Sequence, residues 1–313
     1  MLLKFVGRKK ELGVLSKEFN KKGKSFILLY GRRRIGKTTL IKKSIEGRRA
    51  FYFLCRKTDP KKDLARLVDE FNSMFDTNVK ADSVDVFFRE AIKRFKDMVF
   101  VFDEYSFWVE KDESISSFFQ HIVDEILVDG SKLVLLGSSV GIMESLLSYK
   151  NPLYGRADVR MCLGHVPIKE LVCETGMDID DSVKMYGMTN NIPAYMNSLG
   201  YDVSDKNIEE TFFSQYNILN DDAERILKDE LRNYTAYLDI ISCISEGKTK
   251  VHEIADYANI DVTNVSKYLE VLRGLKIIEK EWPITLTEKK RNKGIWKVND
   301  LFFRFWLKFV YPH

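Results

Sequence analysis

Five short apolar runs dominate the first half of the chain, at residues 25–30, 50–54, 98–102, 132–137 and 161–163. Runs that are apolar on both faces suit strands buried in a parallel sheet. The segments between them read as helices. Residues 61–75 and 84–95 carry apolar stripes at helical spacing, and Leu12, Leu15 and Phe19 form a similar stripe ahead of the first run. Helical crossovers imply parallel pairing, so an α/β sheet with helices on both faces is expected. After about Thr175 the strand-like runs stop, and helical patterns follow at residues 180–188, 192–199, 205–216 and 221–231. They predict a helical lid.

A third pattern begins at Tyr234. Tyr237, Ile240, Ile241 and Ile244 share one helical face, residues 251–255 start a short helix, and residues 261–269 continue as another after the turn at Ala258-Asn259-Ile260. On that last helix Val265, Tyr268, Leu269 and Leu272 face inward, leaving Asn264, Ser266 and Lys267 toward a groove. Residues 277–281 and 295–298 then pair as a hairpin whose tip carries Lys289, Lys290, Arg291, Asn292 and Lys293. This is the order of a winged helix-turn-helix. The chain thus divides at residues 1–175, 176–233 and 234–313 into core, lid and winged helix. The last segment ends in a helix from about Asn299, and residues 301–313 hold six aromatic rings. Each ring can bury on the order of 150–250 Å², so most are expected to pack on the winged helix or the core. Rings left over would mark the seat of a partner or a further domain.

The first run leads into Gly31-Arg32-Arg33-Arg34-Ile35-Gly36-Lys37-Thr38-Thr39, which fits the phosphate-binding loop G-x-x-x-x-G-K-[ST]. Backbone N–H groups of such a loop, with the positive end of the next helix, surround phosphate oxygens. Lys37 would reach the β- and γ-phosphates and the Thr38 hydroxyl would ligate Mg²⁺. The third run ends in Asp103-Glu104, 66 residues after Lys37. Carboxylates at the C-terminal end of a central strand fall where ligands bind in open α/β sheets. Asp103 then serves Mg²⁺ and Glu104 the attacking water. The fourth run ends in Ser138-Ser139, either a sensor of the γ-phosphate, with Ser138 as candidate, or an N-cap for the next helix. Arg156 follows in a turn, either as an arginine finger or sensor or as a structural partner of Asp158.

Apolar residues make up 45% of the chain and charged residues 31%, as in water-soluble globular proteins. The formal net charge of +4 excludes a global polycation, so a nucleic-acid surface must be local; residues 234–313 hold 13 Lys/Arg against 10 Asp/Glu. Cys55, Cys162, Cys173 and Cys243 are far apart and read as reduced core thiols, not metal ligands. The first eight residues do not form a signal peptide and no uncharged run reaches transmembrane length, which points to the cytoplasm and away from a membrane.

These motifs in this order resemble the archaeal ATPases related to the AAA+ and signal-transduction (STAND) NTPases. The resemblance implies a Mg²⁺-dependent ATPase core, a lid and a winged helix. It also implies that the segment Phe5-Val6-Gly7-Arg8 wraps the adenine, with Phe5, Val6 and Arg8 as contacts. The family's G-G-I-P turn appears as Asn190-Asn191-Ile192-Pro193, with Pro193 at the nucleotide. Many members continue into a restriction-endonuclease-like domain after a segment similar to residues 300–310, a domain expected to be lost or cut away after His313. ATP is favoured over GTP because no N-K-x-D motif occurs. The leading expectation is an ATP-driven switch that orients the winged helix. The alternatives are a regulator of duplex DNA in which ATP is structural, and a scaffold docking a protein partner or a second copy of itself.

Overall fold

The computed structural model describes residues 5–282 and 294–312. It divides into two compact units, Arg8–Gly164 and His165–His313, the latter joined by the N-terminal segment up to Gly7. In the first unit the chain runs α1 (Lys9–Asn20), β1 (Ser25–Tyr30), α2 (Lys37–Ser44), β2 (Ala50–Leu54), α3 (Pro60–Phe75), α4 (Val84–Arg94) and β3 (Val99–Asp103). It continues through α5 (Ser106–Lys111), α6 (Ile115–His121), β4 (Lys132–Gly137), α7 (Val140–Ser145) and β5 (Val159–Cys162). All five strands are parallel, in the order β2-β3-β4-β1-β5.

Burial explains the pattern. Every residue of β1, β3 and β4 is buried, as central strands require. On one face Phe26, Phe51, Phe53, Phe100 and Phe102 meet Phe71, Phe87, Phe88 and Phe119 from the helices. Several of these rings meet edge-on, Phe71 and Phe87 at 5.2 Å and 88°, the geometry their quadrupoles favour. β5 alternates between half-buried and exposed residues, which is an edge strand and the reason its apolar signal is weak. It starts at Val159, earlier than its apolar residues suggest. Two of the thiols expected in the core, Cys162 and Cys173, are exposed instead, and only Cys55 and Cys243 are buried.

The second unit begins with α8 (Ile168–Thr175), α9 (Ile179–Thr189), α10 (Pro193–Ser198), α11 (Asp205–Phe212) and α12 (Ile218–Glu230). Asp178 caps α9 and Pro193 opens α10 at its first position. The turn between them holds Asn190 at φ 52° and Asn191 at φ 46°. Asn tolerates this left-handed conformation, so the turn forms without the family's two glycines. The winged helix follows as α13 (Tyr234–Ser245), α14 (Val251–Ala258), α15 (Val262–Gly274) and the antiparallel pair β6 (Ile278–Glu281) and β7 (Ile295–Val298). Asn259 turns the chain at φ 49° and Asp261 caps α15. Val265, Leu269 and Leu272 are buried, while Asn264, Ser266 and Lys267 are exposed. The hairpin tip with Lys289, Lys290, Arg291, Asn292 and Lys293 lies outside the described residues.

The terminal helix α16 (Leu301–Phe305), capped by Asp300, runs on as a π-helical turn to Val310. Its rings do not seat mainly on the winged helix or the ATPase core. They fill the groove of the preceding helices: Phe302 lies 4.2 Å from Tyr195, Phe305 4.8 Å from Phe212, and Trp306 Nε1 donates to Asn220 O at 2.6 Å. The reason is supply, because α9 to α12 are short amphipathic helices with an apolar groove to close. Phe309 and Tyr311 stay exposed.

Candidate nucleotide site

The loop between β1 and α2 is held open by its backbone. Gly31 has φ 151° and a Cβ there would stand 2.7 Å from Leu163 O, so only glycine fits. Gly36 (φ 91°) and Arg34 (φ 67°) are left-handed, the latter a costly conformation for a side-chain-bearing residue and one typical of ligand-binding loops. Arg32 and Arg33 are half-buried, Ile35 is buried, and Thr39 is exposed on the first turn of α2. Lys37 is buried and its Nζ donates to Gly31 O (2.7 Å) and Arg32 O (3.0 Å), so the ammonium closes the loop like a clasp. Arg8, itself buried, donates to Ile35 O (3.0 Å) and Gly164 O (2.6 Å) and pairs with Glu11. It therefore braces the loop from behind, tying it to the end of the unit.

Strand order brings the polar residues together. β4 lies between β1 and β3, and the C-terminal ends of the three align. Thr38 Oγ1 donates to Asp103 Oδ2 at 2.6 Å. Glu104 follows at φ 55°, with its N–H on Asp103 Oδ1 (2.9 Å). Its carboxylate receives the Ser138 hydroxyl at 2.5 Å and the Ser138 N–H at 3.2 Å. Ser138 thus touches Glu104, and Ser139, at the N-cap position of α7, makes no side-chain cap. One participant is invisible in the sequence pattern. Tyr52, inside β2, donates its phenol to Asp103 Oδ2 at 2.6 Å, while Lys42 lies over its ring at 4.7 Å. Burial, reinforced by the hydrogen bond to the Asp103 carboxylate, holds this phenol well above its usual pKa. The only available signal was a hydroxyl in an otherwise apolar strand.

Arg156, also expected at the site, lies elsewhere in the same unit. Arg156 is fixed by Asp124, whose carboxylate takes its Nε at 2.9 Å, and by Pro152 O at 2.7 Å. Asp158 is not its partner: that carboxylate accepts the Phe26 N–H (2.9 Å) and pairs with Lys21. Since Phe26 lies at the start of β1 and the phosphate loop follows its end, Arg156 belongs to the opposite end of the strands. Phe5, Val6 and Pro193 fall in the second unit, where Val6 is buried and the Gly7 N–H donates to Glu174.

The model of an ATPase domain predominantly from Archaea matches residues 5–199. A second model, of the bacterial regulatory arsR family, matches residues 237–280. An uncharacterized protein of Methanocaldococcus jannaschii is 32% identical over 317 residues, covering 99% of this chain and 69% of that protein. An uncharacterized ATP-binding protein of the same organism is 48% identical over 48 residues, 15% of this chain and 81% of that protein. Among solved structures, the Walker-type ATPase of Pyrococcus abyssi superposes with a TM-score of 0.69 at 18% identity, over 97% of this chain and 96% of that one, which speaks for the fold. Matched over most of its length by the first model and nearly end to end by the first relative, this P-loop chain with a helix-turn-helix domain belongs to the family of ATPase domains found predominantly in Archaea.

Proposed function

We propose that the protein binds ATP with Mg²⁺ at the Gly31–Thr39 loop, hydrolyses it, and uses the nucleotide state to control its winged helix. The observation that carries this reading is the convergence of Thr38, Asp103, Glu104 and Ser138 at the C-terminal end of the central strands beside the loop. The residues fit the ion, because Thr38 Oγ1 and Asp103 Oδ2 are adjacent hard oxygens of the kind Mg²⁺ takes along with phosphate and water. When bound, Mg²⁺ would supply charge neutralisation at the β- and γ-phosphates. The chain's own residues supply the rest. Backbone N–H groups from Gly31 to Thr39 hold the phosphates, and Lys37 exchanges its two carbonyl partners for phosphate oxygens. Glu104 orients a water and takes its proton once Ser138 yields the carboxylate or shares it. Arg8 acts through the loop it braces.

The winged helix gives the output. Residues 237–280 match a regulatory helix-turn-helix model, and the exposed Asn264, Ser266 and Lys267 on α15 suit a duplex-DNA groove. The decisive experiment pairs turnover with binding. Glu104→Gln keeps the side-chain shape but removes the base, so ATP binding should persist while turnover falls by roughly 10²–10⁴-fold. Turnover at the wild-type rate overturns the assignment. Loss of binding as well would make Glu104 structural.

A further inference from the structure

We infer that α1 and the neighbouring part of α2 form a second nucleic-acid surface, a basic face on the ATPase unit that holds duplex-DNA phosphates without reading sequence. Charge is distributed very unevenly along the chain. The first 50 residues hold 16 Lys/Arg against 3 Asp/Glu, a net +13, and the remaining 263 hold 34 against 43, a net −9. A net +4 for the whole chain hides this contrast.

Part of this excess is exposed on α1 and on α2 beside it. On α1, Lys10 and Lys17 lie two turns apart on the stripe opposite the buried Leu15 and Phe19, and Lys22 follows the helix end. α2 packs beside α1 and exposes Lys42 and Lys43. The Arg48 guanidinium, in the segment that follows α2, lies over Phe19 of α1 at 5.5 Å. Among the described residues no carboxylate pairs with Lys10, Lys17, Lys22 or Lys42. Lys21 is neutralised by Asp158 and Glu18, and Glu11 and Glu18 are engaged by Arg8 and by Lys21 with Ser25.

The chemistry selects the partner. Several exposed ammonium groups on a helix whose apolar stripe is buried suit a line of phosphates. A membrane surface would need an exposed apolar stripe to insert, and α1 buries its own in the core. Duplex DNA is favoured over RNA because the same chain carries a helix-turn-helix domain. The inference stands apart from hydrolysis and from the DNA contacts assigned to α15.

The test uses the full chain and a fluorescent random-sequence duplex titrated from 50 to 200 mM salt, beside RNA duplex and phosphatidylserine vesicles. Lys10→Ala/Lys17→Ala/Lys22→Ala should weaken duplex binding and flatten the slope of log K against log salt by about 2.7, at about 0.9 per phosphate contact. The same three positions as Arg should restore the slope, and both variants should melt as wild type. Asn264→Ala/Ser266→Ala/Lys267→Ala isolates the winged helix. If only this last variant loses binding, the α1 face is overturned. If it changes nothing and the α1 variant does, the α1 face stands without the winged-helix reading. Unchanged slopes in the α1 variant, no duplex binding at 50 mM salt, or preference for RNA or vesicles overturn the inference.

Discussion

Replacing Tyr52 by Phe removes one oxygen and tests the site where sequence was least informative. Asp103 Oδ2 carries two side-chain donors, Thr38 Oγ1 and the Tyr52 phenol, each at 2.6 Å. If Thr38 turns its oxygen toward Mg²⁺, the phenol is left to hold that carboxylate in place. A hydrogen bond to a charged group contributes about 1.5–3 kcal/mol, equivalent to about 10–150-fold in an equilibrium constant, and outer-shell partners of metal ligands typically govern 10–100-fold in affinity. Because burial and Asp103 raise the phenol's pKa, it remains a donor across the working pH range. The Phe ring keeps the packing and the Lys42 cation above it, so folding should be spared. Tyr52→Phe is therefore expected to raise the Mg²⁺ concentration at half-maximal binding of a fluorescent ATP analogue by 10- to 100-fold. Affinity for the analogue in excess chelator should not change. An unchanged Mg²⁺ midpoint refutes the role. A loss of metal-free nucleotide binding shows that the phenol supports the loop as a whole.

Arg156→Ala should leave kcat/KM within about twofold of wild type, because its guanidinium is committed to Asp124 at the far end of the strands. The exposed pair contributes no more than about 1 kcal/mol, and a turnover loss that varies with protein concentration would instead mean that it acts on a second copy. Phe302→Ala removes a fully buried ring stacked on Tyr195 and should cost about 3–5 kcal/mol in denaturant unfolding of its unit. A cost below about 1 kcal/mol would mean that the terminal helix is not part of that core.

Wherever a local rule with a physical mechanism applies, the sequence by itself determined the outcome. The spacing from Gly31 to Thr38 reflects a loop only those residue types can build, and the burial of β1, β3 and β4 follows from runs apolar on both faces. The α14–α15 turn and the β6–β7 hairpin are similarly local, set by capping residues and by alternation. Asn190 and Asn191 show the same logic at finer grain, since a residue type that tolerates positive φ stands where the turn requires it.

Tertiary structure decided which distant side chains share an atom. Tyr52 and Asp103 are 51 positions apart, Glu104 and Ser138 are 34, and Arg156 and Asp124 are 32. These meetings depend on the order of the strands and on which end of the sheet each loop leaves. No periodicity along the chain encodes that order. A sheet with β4 inserted between β1 and β3 puts Ser138 on Glu104. The return from α7 to β5 carries Arg156 to the start of β1, away from the phosphate loop that its position in sequence suggested. The aromatic terminus obeyed the same division: hydrophobicity required that its rings be buried, and only the shape of the α9–α12 groove settled where.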